Sequence, residues 1–419
     1  MHLFNRYSCL FMGLIVVQRC MKKITTTIIG LVLSFSFMEI KAQEEFVDPP
    51  SIDLTTIPFT QLTGGIVIVR ALLDSFPDTL NFILDTGSSG ISLDSTTADY
   101  LNLQPEPSDR TIKGIAGIKR VSFLYNRTLH FPGLSIDSLN FHINDYSILL
   151  AVYGVRVDGI IGYGMLSRYI VKVNYDRMRI TIASNGSIRY PRGGYLLKPY
   201  MTTLVVQPID VRDAATLRSN FLFDMGAGLC MMLTKDFVED SFFLNKKTKA
   251  YTKEGEGLGG KIDMQLRVIK EVKIGPYRFK RVPVYVFDDE YNVTSYPYMS
   301  GILGNELLRR FNVTLNYAQG DIYLLPNTHM RDFFDYSYSG LELYYIEGLI
   351  VAGDVAKGSP AEEAGVKEGD IVIAVNRDLS QNLDRYKREL QNTLGKVQLL
   401  LKRNGEIIRT EFKVKNILK

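Results

Sequence analysis

The chain of 419 residues is poor in the residues that much of enzyme chemistry depends on. It has three cysteines and four histidines. No His-Glu-x-x-His and no other metal-ligand spacing occurs, so nothing points to a metal centre. There is no Gly-x-Ser-x-Gly elbow, no phosphate loop, and no Gly-x-Gly-x-x-Gly between a strand and a helix. A hydrophobic fraction of 46% with 22% charged residues suits a globular chain, not a disordered, fibrous or multi-span one. Its length allows two or three domains with cores of their own.

The N-terminus reads as targeting sequence. Met21-Lys22-Lys23 is a cationic start, followed by an apolar stretch to about Met38 and Ile40-Lys41-Ala42 before Gln43. That order describes a secretory signal peptide cut after Ala42, with residues 1–20 an upstream extension. The stretch is short for a membrane span, although a single N-terminal anchor is the alternative. Cleavage would remove five of the 49 basic and one of the 45 acidic residues, leaving 44 of each. The net charge of +4 then belongs to the targeting segment, and no basic surplus argues for nucleic acid. Cys9 and Cys20 leave with it. Cys230 alone remains, so neither an internal disulfide nor a disulfide-linked partner is expected. In Leu229-Cys230-Met231-Met232-Leu233 it reads as a buried apolar residue, not a nucleophile.

From Ser51 to about Leu325 the texture is β. Runs such as Gly65-Ile66-Val67-Ile68-Val69 and Val282–Phe287 alternate with Gly, Pro, Asn and Asp. Helical periodicity is scarce, in short pieces after Asp85, after Asp224 and at Asn305–Arg310. Within this stretch lies a repeat. Gly159, Ile160, Gly162, Leu166, Arg168, Val171, Asn174, Tyr175 and Ile180 recur 142 residues later, from Gly301 to Ile322. Upstream, Phe82-Ile83-Leu84-Asp85-Thr86-Gly87 echoes Phe221-Leu222-Phe223-Asp224-Met225-Gly226 at an offset of 139. Two related halves explain both.

Each half thus presents a carboxylate on a tight turn at the end of an apolar strand. Glycine lets the backbone close up beside it, and turn amides can orient it. One such turn is commonly an ordinary loop. Two at equivalent positions of a duplicated unit can meet across a pseudo-twofold axis. There the carboxylates would titrate as a pair sharing one proton, one activating water and the other polarising a carbonyl.

The two halves resemble the retropepsin/pepsin aspartic proteases, in a single-chain, duplicated bacterial form, over about residues 50–328. Asp85-Thr86-Gly87-Ser88-Ser89 matches the first-lobe motif residue for residue, and Ile160-Ile161-Gly162 and Ile302-Leu303-Gly304 match the segment packed behind each aspartate. The resemblance implies Asp85 and Asp224 as catalytic residues. It places Thr86, Gly87, Ser88, Met225, Gly226 and Ala227 in the active-site turns. Gly114-Ile115-Ala116-Gly117 and Gly257-Leu258-Gly259-Gly260 resemble two glycine-rich flap tips, or else are plain hairpin turns. Met225 departs from the pattern. The family has threonine there, and the two threonines bond across the lobe interface. With methionine, Thr86 is expected to face a thioether, which either loosens the pair or packs apolar surface against the other lobe.

Residues from about 338 to 417 resemble a PDZ domain of the bacterial protease-associated type. The match rests on Gly358-Ser359-Pro360-Ala361, Ala364-Gly365 and Gly369-Asp370-Ile371, with a helical stretch at Leu383–Leu394 and a hairpin turn at Arg403-Asn404-Gly405. Such a domain adds a peptide C-terminus as a strand to its sheet edge. Ser339, Gly340 and Leu341 would be the carboxylate-binding loop and Leu341–Tyr345 the edge strand; an occluded loop would leave the domain an appendage.

The expected architecture is mainly β. A two-lobed retropepsin-like acid protease β-barrel fold (lobes 50–190 and 191–328) precedes a small α+β PDZ domain (338–417). The expected function is an exported, periplasmic or extracellular aspartic endopeptidase acting on protein or peptide substrates without a cofactor, with a possible C-terminal peptide ligand on the PDZ domain. The alternative is an inactive peptide-binding scaffold of the same fold.

Overall fold

The strands follow the hydrophobic pattern of the sequence, and their pairing repeats the duplication. The computed structural model describes residues 47–257, 260–391 and 395–418. Residues 1–42, expected to be a targeting segment, and Leu258 and Gly259, expected at a flap tip, lie outside the described residues. Residues 50–419 form one compact unit.

In the first lobe a seven-stranded sheet runs in the order 60–61, 67–73, 79–84, 159–161, 91–94, 134–144, 123–131. In the second an eight-stranded sheet runs 200–201, 205–212, 216–223, 301–303, 231–234, 277–287, 260–274, 251–257. The seven strands of the first sheet correspond in order to the first seven of the second, which adds 251–257 at its edge. The central strands Ile91–Asp94 and Met231–Thr234 are buried throughout, as strands covered on both faces must be. Each leads into a short helix whose preceding residue caps it: Asp94 accepts from the Thr97 amide, and Thr234 from the Phe237 amide.

One six-stranded sheet joins the lobes, in the order 53–58, 179–183, 170–174, 311–316, 321–326, 195–197. Its central antiparallel pair matches Val171 with Leu315, Lys172 with Thr314 and Val173 with Val313. Lys172 and Thr314 are repeat equivalents at the 142-residue offset. The pseudo-twofold axis therefore passes through this pair. The lobes are not separate bodies joined by a linker, since three strands of this sheet come from each half.

The C-terminal unit is a five-stranded sheet ordered 341–346, 349–355, 371–375, 396–403, 406–413. Helices Pro360–Glu363 and Leu383–Gln391 pack on it; the longer one buries Leu383, Tyr386 and Leu390, one stripe of its surface. The segment 327–339, expected as a connector, is tied to both neighbours. The Arg310 guanidinium donates to the Asp332 carbonyl at 2.6 Å, the Tyr336 hydroxyl donates to the Arg281 carbonyl at 2.9 Å, and Ser337–Tyr338 pairs with Lys415–Asn416.

Candidate active site

Asp85 and Asp224 each follow the last residue of an apolar strand, Thr79–Leu84 and Thr216–Phe223. Their placement is matched bond for bond. The Asp85 amide donates to the Ile161 carbonyl and the Asp224 amide to the Leu303 carbonyl, both at 2.9 Å. The Gly87 amide donates to Asp85 Oδ1 and the Gly226 amide to Asp224 Oδ1, both at 2.7 Å. The glycines are required by close approach. A Cβ on Gly87 would sit 2.5 Å from Asp224 Oδ2, and one on Gly226 2.4 Å from Asp85 Cγ. Each turn leaves room for the other lobe's carboxyl group.

The two carboxyl groups face each other across the lobe interface, close enough to interact directly. Burial raises the Asp85 carboxyl above the usual range, opposed by its bond to Asp224 and by the Gly87 and Ser88 amides. Asp224 is raised much further, by burial, then by the charge of Asp85 and the bond to it, against the Gly226 and Ala227 amides. Two carboxylates this close cannot both ionise cheaply, so the pair titrates as a unit that shares one proton.

Thr86 does not face a thioether. Its hydroxyl donates to the Phe223 carbonyl at 2.6 Å and accepts from the Met225 amide at 3.0 Å, both in the other lobe. These are backbone groups that any residue at 225 supplies, so one half of the cross-lobe lock is complete. The Met225 side chain is fully buried in the main core, and its half of the interface is packing. A second bridge the sequence did not suggest lies close by: Asn305 donates to the Gly65 carbonyl at 2.6 Å and accepts from the Tyr175 hydroxyl at 3.1 Å. Ser88 and Ala227 hold the segments behind the pair in place, their carbonyls accepting from the amides of Tyr163 and Asn305.

The expected flap tips lie on hairpins. Thr111–Gly114 pairs with Gly117–Arg120 as a separate two-stranded ribbon turning at Ile115-Ala116. Tyr251–Gly257 pairs with Gly260–Ile274, Gly257 opposite Gly260. The first tip crosses to the other lobe, where Ile115 packs with Leu222, Met232, Met264 and Ile302. That cluster has a counterpart in the first lobe, formed by Ile66, Ile68, Ile83 and Ile160. Ile83 and Leu222, and Ile160 and Ile302, are repeat equivalents, so the two clusters are matching walls on either side of the carboxyl pair.

The first-lobe wall is completed by Leu149 and Tyr153 of the helix Ser147–Tyr153. The Tyr153 phenol is pushed up to about 12 by burial, then by the charges of Asp224 and Asp85. It stays neutral beside the pair. No motif marks this helix. Its one signal is that the segment before Gly159 has nothing in common with the segment before Gly301, so the repeat is broken there.

Ser339, Gly340 and Leu341 lie at the start of the C-terminal unit's edge strand. Ser339 and Leu341 are buried. The Leu341 amide, expected to be free for a peptide carboxylate, donates to Ser339 Oγ at 3.2 Å, and the carbonyls of Ser339 and Gly340 accept from Ala361 and Ala356. In this state a neighbouring hydroxyl satisfies the Leu341 amide. Cys230 is buried, and burial holds its thiol well above the usual range, as for an unreactive core residue.

Residues 73–165 and 208–307 match the aspartyl protease family, and residues 351–403 match the PDZ domain family. The first two segments hold the two aspartate turns. Curated relatives match over short stretches. A probable periplasmic serine endoprotease DegP-like of Chlamydia muridarum is 39% identical over 62 residues, 15% of this chain and 12% of that protein. A putative zinc metalloprotease of Thermotoga maritima is 39% identical over 61 residues, 14% of this chain and 12% of that protein. The chain thus spans about an eighth of the length of these relatives. Each stretch is shorter than either aspartate-bearing segment, and the relatives' names belong to other protease classes.

Proposed function

We propose that this chain, with its two aspartyl protease segments and a PDZ domain, is an aspartic endopeptidase. The observation that carries the reading is the pair Asp85 and Asp224, which symmetric turns bring face to face between two apolar walls. A water molecule gives a proton to the ionised carboxylate as its oxygen attacks the scissile carbonyl carbon. The shared proton passes to the carbonyl oxygen, giving a tetrahedral diol. As the diol collapses, the carboxyl that took the water's proton protonates the leaving amine, and the other carboxylate takes back a proton from a diol hydroxyl, restoring the pair. The substrates are proteins or peptides, held in extended form between the walls and beneath the hairpins. The scaffold alternative rested on Met225 loosening the pair. The Thr86 bonds to Phe223 and Met225 argue against that loosening.

The order of charge, apolar run and Ala42 supports export to the periplasm or beyond before the enzyme acts. The test of the enzymatic reading is hydrolysis of an unfolded protein at mildly acid pH by the purified chain, its Asp85→Ala variant and its Asp224→Ala variant. Both variants are expected to lose activity by about 10³-fold or more. Equal rates for all three would remove the reading.

A further inference from the structure

The C-terminal unit has the groove in which its family seats a peptide, between the edge strand Leu341–Ile346 and the helix Leu383–Gln391. Among the described residues, that strand is paired along one edge only, with 349–355. A peptide added to the other edge would begin with its carboxyl end near Ser339–Leu341 and run back towards Ile346 and Leu383. The carboxyl end opens into a cavity of about 1480 Å³, lined by Leu341, Leu343, Lys387 and Leu390 on one side and Gly64 and Gly228 on the other.

The far end is closed by the chain itself. The wall helix Ser147–Tyr153 packs against the edge strand. Lys387 Nζ donates to the Val152 carbonyl at 2.7 Å, at the negative end of that helix. A Cβ on Gly154, the residue that ends the helix, would lie 3.1 Å from Leu383 Cβ. Leu383 and Lys387 stand one turn apart on the groove face. The last turn of the wall helix therefore sits where the upstream residues of a bound peptide would leave the groove. The opposite face of the same helix carries Leu149 and Tyr153 into the cleft wall beside the carboxyl pair.

We infer that the helix 147–153 is the resident occupant of the peptide groove, and that a peptide with a free carboxyl terminus enters only by displacing it, which rebuilds the first-lobe wall of the cleft. Ligand and helix compete for one place, so peptide binding and cleft shape are linked. The change in cleavage rests on the enzymatic reading above; the competition does not.

The test uses the full chain with Gly154→Cys and Leu383→Cys, whose Cβ atoms would stand 3.1 Å apart and need to separate by only a few tenths of an ångström to form a disulfide. The probe is a pool of short fluorescent peptides ending in a free apolar residue, with carboxamide versions as controls. Oxidation is expected to weaken binding by about tenfold or more, and reduction to restore it. Gly154 has a left-handed backbone that strains any cysteine placed there. A second measurement therefore follows amide hydrogen exchange over 147–153 in the unaltered chain and in Lys387→Ala. Peptide is expected to speed exchange in both, and Lys387→Ala to speed it without peptide. Equal binding by oxidised and reduced protein, unchanged exchange on adding peptide, or no binding by Lys387→Ala would each overturn the inference. Loss of peptidase activity in Asp85→Ala leaves all three readouts intact, so the two readings fail separately.

Discussion

The two lobes hold their aspartates with the same pair of bonds, yet lock to each other by different means. Thr86 reaches across with a hydroxyl, donating to Phe223 and accepting from Met225. Met225 answers with a buried thioether in the main core. A duplicated site thus needs matched geometry at the carboxyls but not matched chemistry behind them. One hydroxyl satisfies two backbone groups of the opposite turn, and packing supplies the rest. The walls differ similarly. The second-lobe wall receives Ile115 from the opposite hairpin; the first-lobe wall receives a helix that also touches the C-terminal unit.

The largest effect is expected from reversing the use of that lock. Thr86→Val leaves the Phe223 carbonyl and the Met225 amide buried without a partner, costing about 2–5 kcal/mol of stability. Met225→Thr removes packing but adds a hydroxyl aimed, by symmetry, at the backbone around Leu84, so its cost is expected to stay near 1 kcal/mol. Chemical denaturation of both variants measures the difference. Equal losses would mean that the two turns are interchangeable after all.

Next in size is a difference within the pair itself. The raised Asp224 carboxyl binds its proton more tightly in the folded chain than in the unfolded one. Between the ordinary carboxylate range and the raised value the folded state therefore holds more protons, and its stability falls as pH rises. Asp224→Asn removes that penalty and keeps a donor facing Asp85. It is expected to match the parent near pH 3 and to exceed it by about 1–3 kcal/mol at neutral pH. Thermal melts across that range read the crossing. A gap that is constant with pH would show that Asp224 carries no such proton. Activity should fall over the same window as the pair loses its shared proton.

Much of this was legible in the sequence where chemistry fixes residue and spacing together. Asp85-Thr86-Gly87 can be read directly, and the 142-residue repeat foretells both the matching sheets and the pair Lys172 and Thr314 on the axis. What could not be read depends on backbone partners or on docking. The Phe223 carbonyl and the Met225 amide leave no mark in a side-chain alphabet, so the methionine looked more disruptive than it is. The helix Ser147–Tyr153 is too short for periodicity to identify, and its contact with Lys387 spans more than two hundred residues of sequence. The bond at the start of the edge strand is local and leaves as little mark, a serine hydroxyl at 339 accepting from the Leu341 amide.

The smallest effects are expected where the two hairpins are compared. The first is short, and its tip is held by the apolar contact of Ile115. The second is braced from outside. Lys261 pairs with Asp354 at 3.0 Å, Lys253 pairs with Glu342 at 2.8 Å, and the Tyr338 hydroxyl donates to the Thr252 carbonyl at 2.9 Å. Lys261 is half exposed, so Lys261→Met should cost less than about 1 kcal/mol of stability. Its mark should be kinetic, because the hairpin proposed to cover substrate loses one anchor to the C-terminal unit. A rise in KM of about twofold with kcat unchanged is expected, against a rise of several-fold for Ile115→Ala, whose side chain lies in the cleft wall. Steady-state kinetics on one peptide substrate ranks them. If Lys261→Met proves the more damaging, the external brace and not the apolar tip controls closure, and the C-terminal unit acts on the cleft through the hairpin as well as through the wall helix.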